Sequence, residues 1–221
     1  MATVLVVAAH PDDEVLGCGG TIVKHVEGGD SVHVAVLGEG VLSRRGAQRE
    51  ELAQAQDACR KANEILGVHG LTLHDYPDNR LDSVDRLDVI RLVEEQLERL
   101  SPEIVYTHHW SDVNVDHYRI NECVLAACRP VPGHSVKRLL FFEVPSSTEW
   151  RGPQDCFNPN WFVDITGSFD RKVEALEAYG RELREFPHPR SLEAIGHLAR
   201  WRGATAGVAA AEAFVLGRNI C

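Results

Sequence analysis

An apolar, β-branched run at residues 3–7 is followed directly by a cluster of ionisable side chains, and this junction constrains the chain more than any other feature. The run is typical of a buried strand. The side chains that follow it within residues 8–14 are His10, Asp12, Asp13 and Glu14. In an open α/β sheet, ligands bind outside the carboxyl ends of the strands, so this junction is a candidate ligand site.

Residues 8–14 have two interpretations when they are considered alone. Three carboxylates beside an imidazole repel one another unless a positive group is close, and imidazole and carboxylate are ordinary ligands of zinc. The second interpretation is a polar turn between a strand and a helix, in which Asp12 or Asp13 caps the helix.

Segments typical of strands and of helices alternate along the rest of the chain. Further strands are predicted at residues 31–37, 71–73, 103–107, 139–144 and 160–165, and helices at residues 15–26, 48–66, 85–100 and 116–128. Two C-terminal helices are predicted, at residues 168–186 and from residue 191 to about 213. This order predicts an α/β fold with a Rossmann-like, doubly wound, mostly parallel sheet and helices on both faces. A chain of 221 residues is long enough for one such domain, so we expect a single domain over residues 1–221.

Composition excludes several classes of partner. The formal net charge of −10 disfavours nucleic acid and anionic membrane surfaces, although a small anionic substrate would need only a local Arg or Lys. No apolar run approaches the ~20 residues that span a bilayer, and the first residues lack the basic region of a signal peptide. We therefore expect a cytoplasmic protein. The six cysteines form no Cys-x-x-Cys pair, so neither a zinc knuckle nor a thioredoxin-like motif is present. Reduced, mostly buried thiols are the default expectation.

Three glycines fall within the first turns of the helix predicted at residues 15–26, at positions 17, 19 and 20. Each costs roughly 1 kcal/mol relative to alanine, so a close approach of the backbone to the sheet or to a ligand is expected there. The glycines lie beyond the turn between strand and helix, and that turn is acidic. This pattern is therefore not the phosphate-binding fingerprint of a dinucleotide site.

A second polar turn follows the strand predicted at residues 103–107. Its ionisable side chains include His109, Asp112, Asp116 and His117. Strands one and four are neighbours across the switch point of a doubly wound sheet, so the two polar turns are expected to face each other in one crevice. A catalytic zinc site needs three protein ligands and one open position, and two histidines with one carboxylate fit that need.

The two motifs together resemble those of the zinc-dependent de-N-acetylases of the LmbE/PIG-L family. The resemblance rests on residues 10–14, on residues 16–20 behind them, and on Asp116 and His117. It covers nearly the whole chain in length and element order. It implies a Rossmann-like fold, a bound Zn²⁺ and hydrolysis of an acetamide on a sugar. Relatives often assemble, so the resemblance also implies a homo-oligomer.

The resemblance assigns roles to individual residues. His10, Asp13 and His117 match the metal ligands, Asp12 matches the general base, and Asp116 matches the carboxylate that orients neighbouring groups. Glu14 is expected to orient the loop or to cap the helix.

The chain departs from the family at Asn114, where members commonly carry a histidine that is thought to stabilise the oxyanion. An amide can donate a hydrogen bond to an oxyanion, but it cannot act as a general acid near neutral pH. The proton donor to the leaving amine is therefore either Asp12, acting twice, or His109. The alternative role for His109 is that of a structural histidine at a strand end.

Two arginines are candidates for binding an N-acetyl sugar substrate. Arg49 lies near the start of the helix predicted at residues 48–66, where an exposed helix arginine is the competing interpretation. Arg190 lies in a turn with a helix cap, at residues 187–191.

Several functions other than a sugar deacetylase remain open from the sequence. The chain could be a zinc hydrolase of another N-acyl or N-formyl amide, or a metal-binding relative that has lost catalysis. A nucleotide-binding module without hydrolytic activity is the third alternative. The acidic turn and the absence of phosphate-binding glycines count against that module.

Overall fold

The fold is a seven-stranded sheet covered by six α-helices among the described residues, in a computed structural model that describes residues 1–44, 46–152 and 156–221. The strands are β1 (Thr3–Ala8), β2 (Ser31–Gly38), β3 (Gly70–Tyr76), β4 (Ile104–His108), β5 (Arg138–Phe142), β6 (Trp161–Asp164) and β7 (Ala211–Asn219). The helices are α1 (Asp13–Glu27), α2 (Arg49–Leu66), α3 (Arg86–Leu100), α4 (Val115–Ala127), α5 (Phe169–Ala178) and α6 (Leu192–Ala206).

The strand order is β3-β2-β1-β4-β5-β7-β6. Strands β1 to β5 are parallel, and β7 runs antiparallel to both β5 and β6. The prediction of a doubly wound, mostly parallel sheet is therefore confirmed. The chain reverses its winding direction between β1 and β4, where Val7 pairs with Thr107, so the loops after these two strands lie side by side.

Two apolar cores cover the two faces of the sheet. Alternate residues of β1 point to opposite faces, so Val4 and Val6 enter one core while Leu5 and Val7 enter the other. Helices α1, α2, α5 and α6 contribute to the first core, and α3 and α4 contribute to the second. Burial on both faces explains why β1 and β4 are continuous apolar runs.

The C-terminal prediction was wrong in one element. Helix α5 ends at Ala178 and α6 ends at Ala206, and residues 211–219 form strand β7 where a helix was predicted to continue to about residue 213. Gly207 ends α6 in a left-handed conformation with φ 78°. The alanines after it favour helix locally, but pairing with β5 and β6 makes the segment a strand.

Helix α1 is broken at Cys18, whose backbone is not helical. A buried ion pair covers the break: Glu212 accepts from the backbone N–H groups of Gly20 and Thr21, and Lys172 donates to the carbonyl of Leu16. The glycines of this segment pack against the first core. A Cβ on Gly17 would lie 2.6 Å from Cγ of Phe142, a first-core residue on β5. Of the two approaches that the glycine pattern predicted, the structure therefore shows the one to the sheet at Gly17.

Among the helices of the described ranges, none combines the length and the apolar character that crossing a bilayer requires.

Candidate active site

The loop after β1 holds its acidic residues in a fixed backbone conformation. Asp12 adopts a left-handed conformation with φ 107°, which is rare for a residue other than glycine. The Glu14 carboxylate accepts from the Asp12 backbone N–H at 3.1 Å, and the Asp13 carboxylate accepts from the His10 N–H at 2.9 Å. Tyr179 and Asn63 donate to the other oxygen of Glu14. The expectation that Glu14 orients this loop agrees with these contacts.

Burial also changes the acidity of Glu14, which is inaccessible to solvent. It raises the pKa of this carboxyl to about 7, and the hydrogen bond from Tyr179 opposes the rise. Two neutral donors and one backbone N–H thus surround a carboxyl group that is costly to ionise.

The loop after β4 leads into α4 and places a carboxylate against the first loop. Asn114 is the N-cap of α4, and its side-chain oxygen accepts from the Asp116 backbone N–H at 2.8 Å. The buried Asp116 carboxylate accepts from the backbone N–H groups of Asn79 and Leu81. It also lies 2.9 Å from Nε2 of His10. Because an ionised carboxylate can only accept, this contact keeps the proton on Nε2 of His10 and leaves Nδ1 as a lone-pair donor.

The three predicted metal ligands meet at one point. His10, Asp13 and His117 each offer a ligand atom, and these atoms lie within 4.8 Å of one another. Oδ2 of Asp13 is 3.3 Å from Nδ1 of His10 and 3.2 Å from Nε2 of His117. All three side chains are buried.

The chemistry of these three residues fits a divalent cation. Among the described residues, Oδ1 of Asp13 and Nε2 of His117 are buried and make no hydrogen bond. Such atoms are rare in folded proteins, because each costs the loss of its solvation. A cation between them would satisfy both atoms. Two imidazoles with one carboxylate are a ligand set typical of catalytic zinc, with one position open to water.

The charge balance of the site points the same way. Burial alone would lower the pKa of His10, but hydrogen bonds to Asp116 and Asp13 raise it to about 10. Burial also opposes protonation of His117, whereas the Asp13 charge and the Asp112 hydrogen bond raise its pKa to about 9. The surrounding carboxylates thus stabilise a positive charge at the position where a metal ion would supply one.

Asp112 orients His117, the second histidine of the predicted metal site. Its Oδ2 lies 3.0 Å from Nδ1 of His117, which leaves Nε2 of that ring directed at Asp13. Ser147 and Thr148, from the loop after β5, donate to the Asp112 carboxylate. Burial would raise the pKa of Asp112, but its contacts with His117 and Ser147 bring it down to about 2. Both histidine ligands therefore have a carboxylate partner on the ring nitrogen that faces away from the metal position.

Sequence reasoning grouped Asp112 with the site without giving it a role, and it did not connect Asp78 or Ser147 with the metal position. Asp78 lies 3.4 Å from Nε2 of His10 and accepts from Ser43. It follows the third strand, as the two polar loops follow strands one and four. That position was the available signal for Asp78, whereas the contact of Ser147 with Asp112 has no local signal in the sequence.

Asp12 lies beside the metal ligands but does not belong to that group. Its carboxylate is buried, and Arg190 Nη1 lies 2.7 Å from Oδ2. Arg190 also donates from Nε to the hydroxyl of Ser146 at 2.8 Å. Burial raises the pKa of Asp12 to about 8, and the Arg190 charge opposes this rise. Asp12 is therefore a buried carboxyl group whose position is fixed by an arginine.

A cavity of about 550 Å³ opens over this group, which is within the usual range of small-molecule sites. It is bounded by the loop after β1, the loop after β2, one face of α2, and the chain from the end of α5 to Arg190. His10, Asp12, Asn114 and Arg190 line it.

The other predicted site residues lie elsewhere. His109 is buried outside the cavity lining, where its Nδ1 accepts from the Ser111 N–H at 3.0 Å and its ring packs against Trp110. Arg49 is exposed in the first turn of α2 and does not belong to the described lining.

Comparison with known proteins agrees with this geometry. Residues 5–128, more than half of the chain, match the PIG-L family, described as GlcNAc-PI de-N-acetylase. The uncharacterized deacetylase YaiS of Escherichia coli is 28% identical over 182 residues, which cover 80% of this chain and 89% of that protein. A probable N-acetyl-α-D-glucosaminyl L-malate deacetylase 2 of Bacillus anthracis is 27% identical over 190 residues, 81% of each chain.

A solved structure extends the likeness to the whole fold. The conserved protein TT1542 of Thermus thermophilus superposes with a TM-score of 0.80 at 28% identity, covering 100% of this chain and 97% of that one. The family match includes both polar loops and the metal-ligand positions within them. The chain therefore belongs to the PIG-L family, that of the GlcNAc-PI de-N-acetylases.

Proposed function

We propose that this protein is a zinc-dependent hydrolase that removes the acetyl group from an N-acetylated amino sugar of the N-acetylglucosamine type. The observation that carries the proposal is the convergence of His10, Asp13 and His117 on one point, with Asp12 beside them in the lining of a cavity. Family membership and the similarity to proteins named as deacetylases support the same reaction.

His10, Asp13 and His117 would hold the metal. A bound zinc ion lowers the pKa of water and polarises the carbonyl of the acetamide. Asp116 and Asp112 keep the two imidazoles in the tautomers that direct a lone pair to the ion.

Asp12 acts as the general base. It takes a proton from the attacking water, whose oxygen bonds to the acetyl carbon. The same carboxyl then returns the proton to the sugar nitrogen as the C–N bond breaks, so that acetate and a free amine leave. Arg190 holds Asp12 in position during both transfers, because its guanidinium pairs with one oxygen and leaves the other for the reaction.

Asn114 is the better candidate for supporting the negative charge that develops on the acetyl oxygen. It lines the cavity, and its Nδ2 is directed at the side-chain oxygen of Asn79, 3.1 Å away at the cavity wall. His109 is buried outside the lining, and its Nδ1 already accepts a backbone hydrogen bond. Because Asp12 belongs to the described lining and His109 does not, two proton transfers by Asp12 are favoured over a transfer by His109.

The test measures acetate released from N-acetylated sugars by the zinc-loaded protein, together with its metal content. Asp12→Asn should lower turnover by about 10²–10⁴-fold while the protein keeps its metal. Asp57→Asn, on an exposed face of α2, is the matched control and should keep full activity. Near-wild-type turnover in the Asp12 variant would refute the assigned base. Release of formate or a longer acid, with no acetate from any sugar, would favour the alternative hydrolase of another N-acyl amide.

A further inference from the structure

We propose that the part of the cavity lined by α2 and the end of α5 takes an uncharged, sugar-sized aglycone and discriminates against one that carries a carboxylate or phosphate. The inference rests on the proposed function, since it concerns what is attached to the N-acetylated sugar. Substrates that differ in the charge of this attached group are not distinguished by the family resemblance, and the inference distinguishes them.

One wall of the cavity is a single face of α2. Glu51, Gln54, Ala55 and Ala58 follow the i, i+3, i+4, i+7 spacing that places side chains in one row on a helix. The end of α5 supplies Glu177 and Ala178 to the same lining, and Tyr179 follows directly. The hydroxyl of Tyr179 is engaged by Glu14, so this residue does not offer its O–H to a ligand.

Two of the arginines in the described lining already have carboxylate partners. Arg190 pairs with Asp12 at 2.7 Å, and Arg44 pairs with Glu182 at 2.6 Å. Glu182 also lies 3.9 Å from Arg190, so the two pairs adjoin. An anionic aglycone would have to displace one of these carboxylates before it gained an arginine, and displacing Asp12 would remove the general base from its position.

The remaining charges of the described lining are unfavourable to an anion. Glu51 and Glu177 make no side-chain ion pair or hydrogen bond within the described residues, and only Arg181 among the described cations of the lining is likewise unpaired. Arg49, which the sequence offered as a substrate-binding residue, is outside this lining. A carboxylate or phosphate would therefore enter a region with surplus negative charge, where it is repelled and loses solvation.

The same wall suits a neutral sugar. Ala55, Ala58 and Ala178 give a low apolar surface against which the C–H face of a pyranose ring can pack. Gln54 can donate hydrogen bonds to sugar hydroxyl groups and accept hydrogen bonds from them, and the unpaired carboxylates beside it can accept hydrogen bonds from these hydroxyls. No group on this wall has to move or change its partner for such an aglycone to bind.

The experiment compares matched glycosides of N-acetylglucosamine by acetate release. The set contains the malate glycoside, its dimethyl ester, and N,N′-diacetylchitobiose. The ester has nearly the shape of the malate compound without its two charges. We expect kcat/KM for the ester and for the disaccharide to exceed that for the malate glycoside by at least about tenfold at low salt. The gap should narrow in about 0.5 M NaCl, because salt screens exposed charges.

Charge reversal at the wall gives the second measurement. Glu51→Lys with Glu177→Lys should raise the ratio of kcat/KM for the malate glycoside to kcat/KM for the ester by about tenfold. Glu50→Lys with Glu174→Lys, exposed on the same two helices outside the described lining, is the matched control and should change neither value.

Equal or faster hydrolysis of the malate glycoside by the unaltered protein would overturn this inference and leave the proposed function standing. If no glycoside in the set, nor free N-acetylglucosamine, released acetate from the zinc-loaded protein, the proposed function itself would fail.

Discussion

Asp116 accepts a hydrogen bond from Nε2 of His10 at 2.9 Å, across 106 positions of sequence. This contact joins the loops after β1 and β4, and it decides which nitrogen of His10 is available to a metal. Because Asp116 is itself fixed by the backbone N–H groups of Asn79 and Leu81, the orientation of the ring depends on three separate loops.

Asp116→Asn should therefore weaken metal binding. An amide can present its N–H to Nε2 of His10, which would move the proton to Nδ1 and turn the ligand lone pair away from the metal. We expect a loss of about 10–100-fold in zinc affinity, measured by competition with a chromophoric chelator. Glu122→Gln, also on α4 but paired only with neighbours on that helix, is the control and should bind zinc normally. Unchanged affinity in a folded Asp116 variant would show that this contact does not select the tautomer.

Arg190→Gln should lower catalysis without removing the metal. The substitution deletes the ion pair with Asp12 and the hydrogen bond to Ser146, so the base loses the group that fixes its position. Hydrogen bonds to charged groups contribute about 1.5–3 kcal/mol, which corresponds to about 10–150-fold in kcat. Steady-state kinetics should show the loss in kcat, with Arg184→Gln in the same loop as the control. A change confined to KM would instead assign Arg190 to substrate binding alone.

Gly17 illustrates the close packing of α1 on the sheet. An added Cβ would lie 2.6 Å from Cγ of Phe142, a fully buried ring on β5. Gly17→Ala should therefore lower the free energy of unfolding by about 1–3 kcal/mol, measured by urea denaturation. Gly167→Ala is the matched control, since nothing lies within 4 Å of its added Cβ. Equal stability of the two variants would contradict the overpacking explanation.

The sequence predicts those parts of the site that lie on short segments directly after the strands. Both polar loops directly follow apolar strands, and parallel strands bring their carboxyl ends to one edge, so the residue pattern placed His10, Asp13 and His117 in one group with four other side chains. The family resemblance then selected these three as the metal ligands. The contact of Ser147 with Asp112 could not be predicted, because it depends on how the loop after β5 packs. Strand β7 was missed because its alanines favour helix until two neighbouring strands pair with it.

Asp30 provides a pH-dependent contribution to stability away from the active site. Its carboxylate accepts from the Ala2 backbone N–H and from Nδ1 of His25, each at 2.7 Å. Burial works in the opposite direction, but these contacts lower the pKa of Asp30 in the folded protein. The folded state therefore binds this proton less tightly than the unfolded chain does. The stabilisation is complete above the ordinary aspartate pKa of about 4 and is lost as the pH falls through the lowered value.

Asp30→Asn should consequently lower the free energy of unfolding by about 1 kcal/mol at about pH 6, and the difference from the unaltered protein should shrink as the pH falls below about 4. Chemical denaturation at a series of pH values measures this difference. Asp75→Asn, an exposed aspartate, is the control and should show little difference at any pH. A deficit in the Asp30 variant that grew on acidification would reverse the sign derived from the lowered pKa.

The cysteines should fall into two groups by reactivity. Within the described residues none of the six forms a disulfide. Cys156 and Cys221 are exposed, whereas Cys18, Cys59, Cys123 and Cys128 are buried. Burial also raises the pKa of each of the four buried thiols, which lowers the fraction present as reactive thiolate.

With a chromogenic disulfide reagent at about pH 8, two equivalents should therefore react rapidly in the native protein and four more only after denaturation. Replacing both exposed cysteines by serine should abolish the rapid phase. Rapid reaction of more than two thiols in the native protein would contradict the burial of α1, α2 and α4 in the two cores.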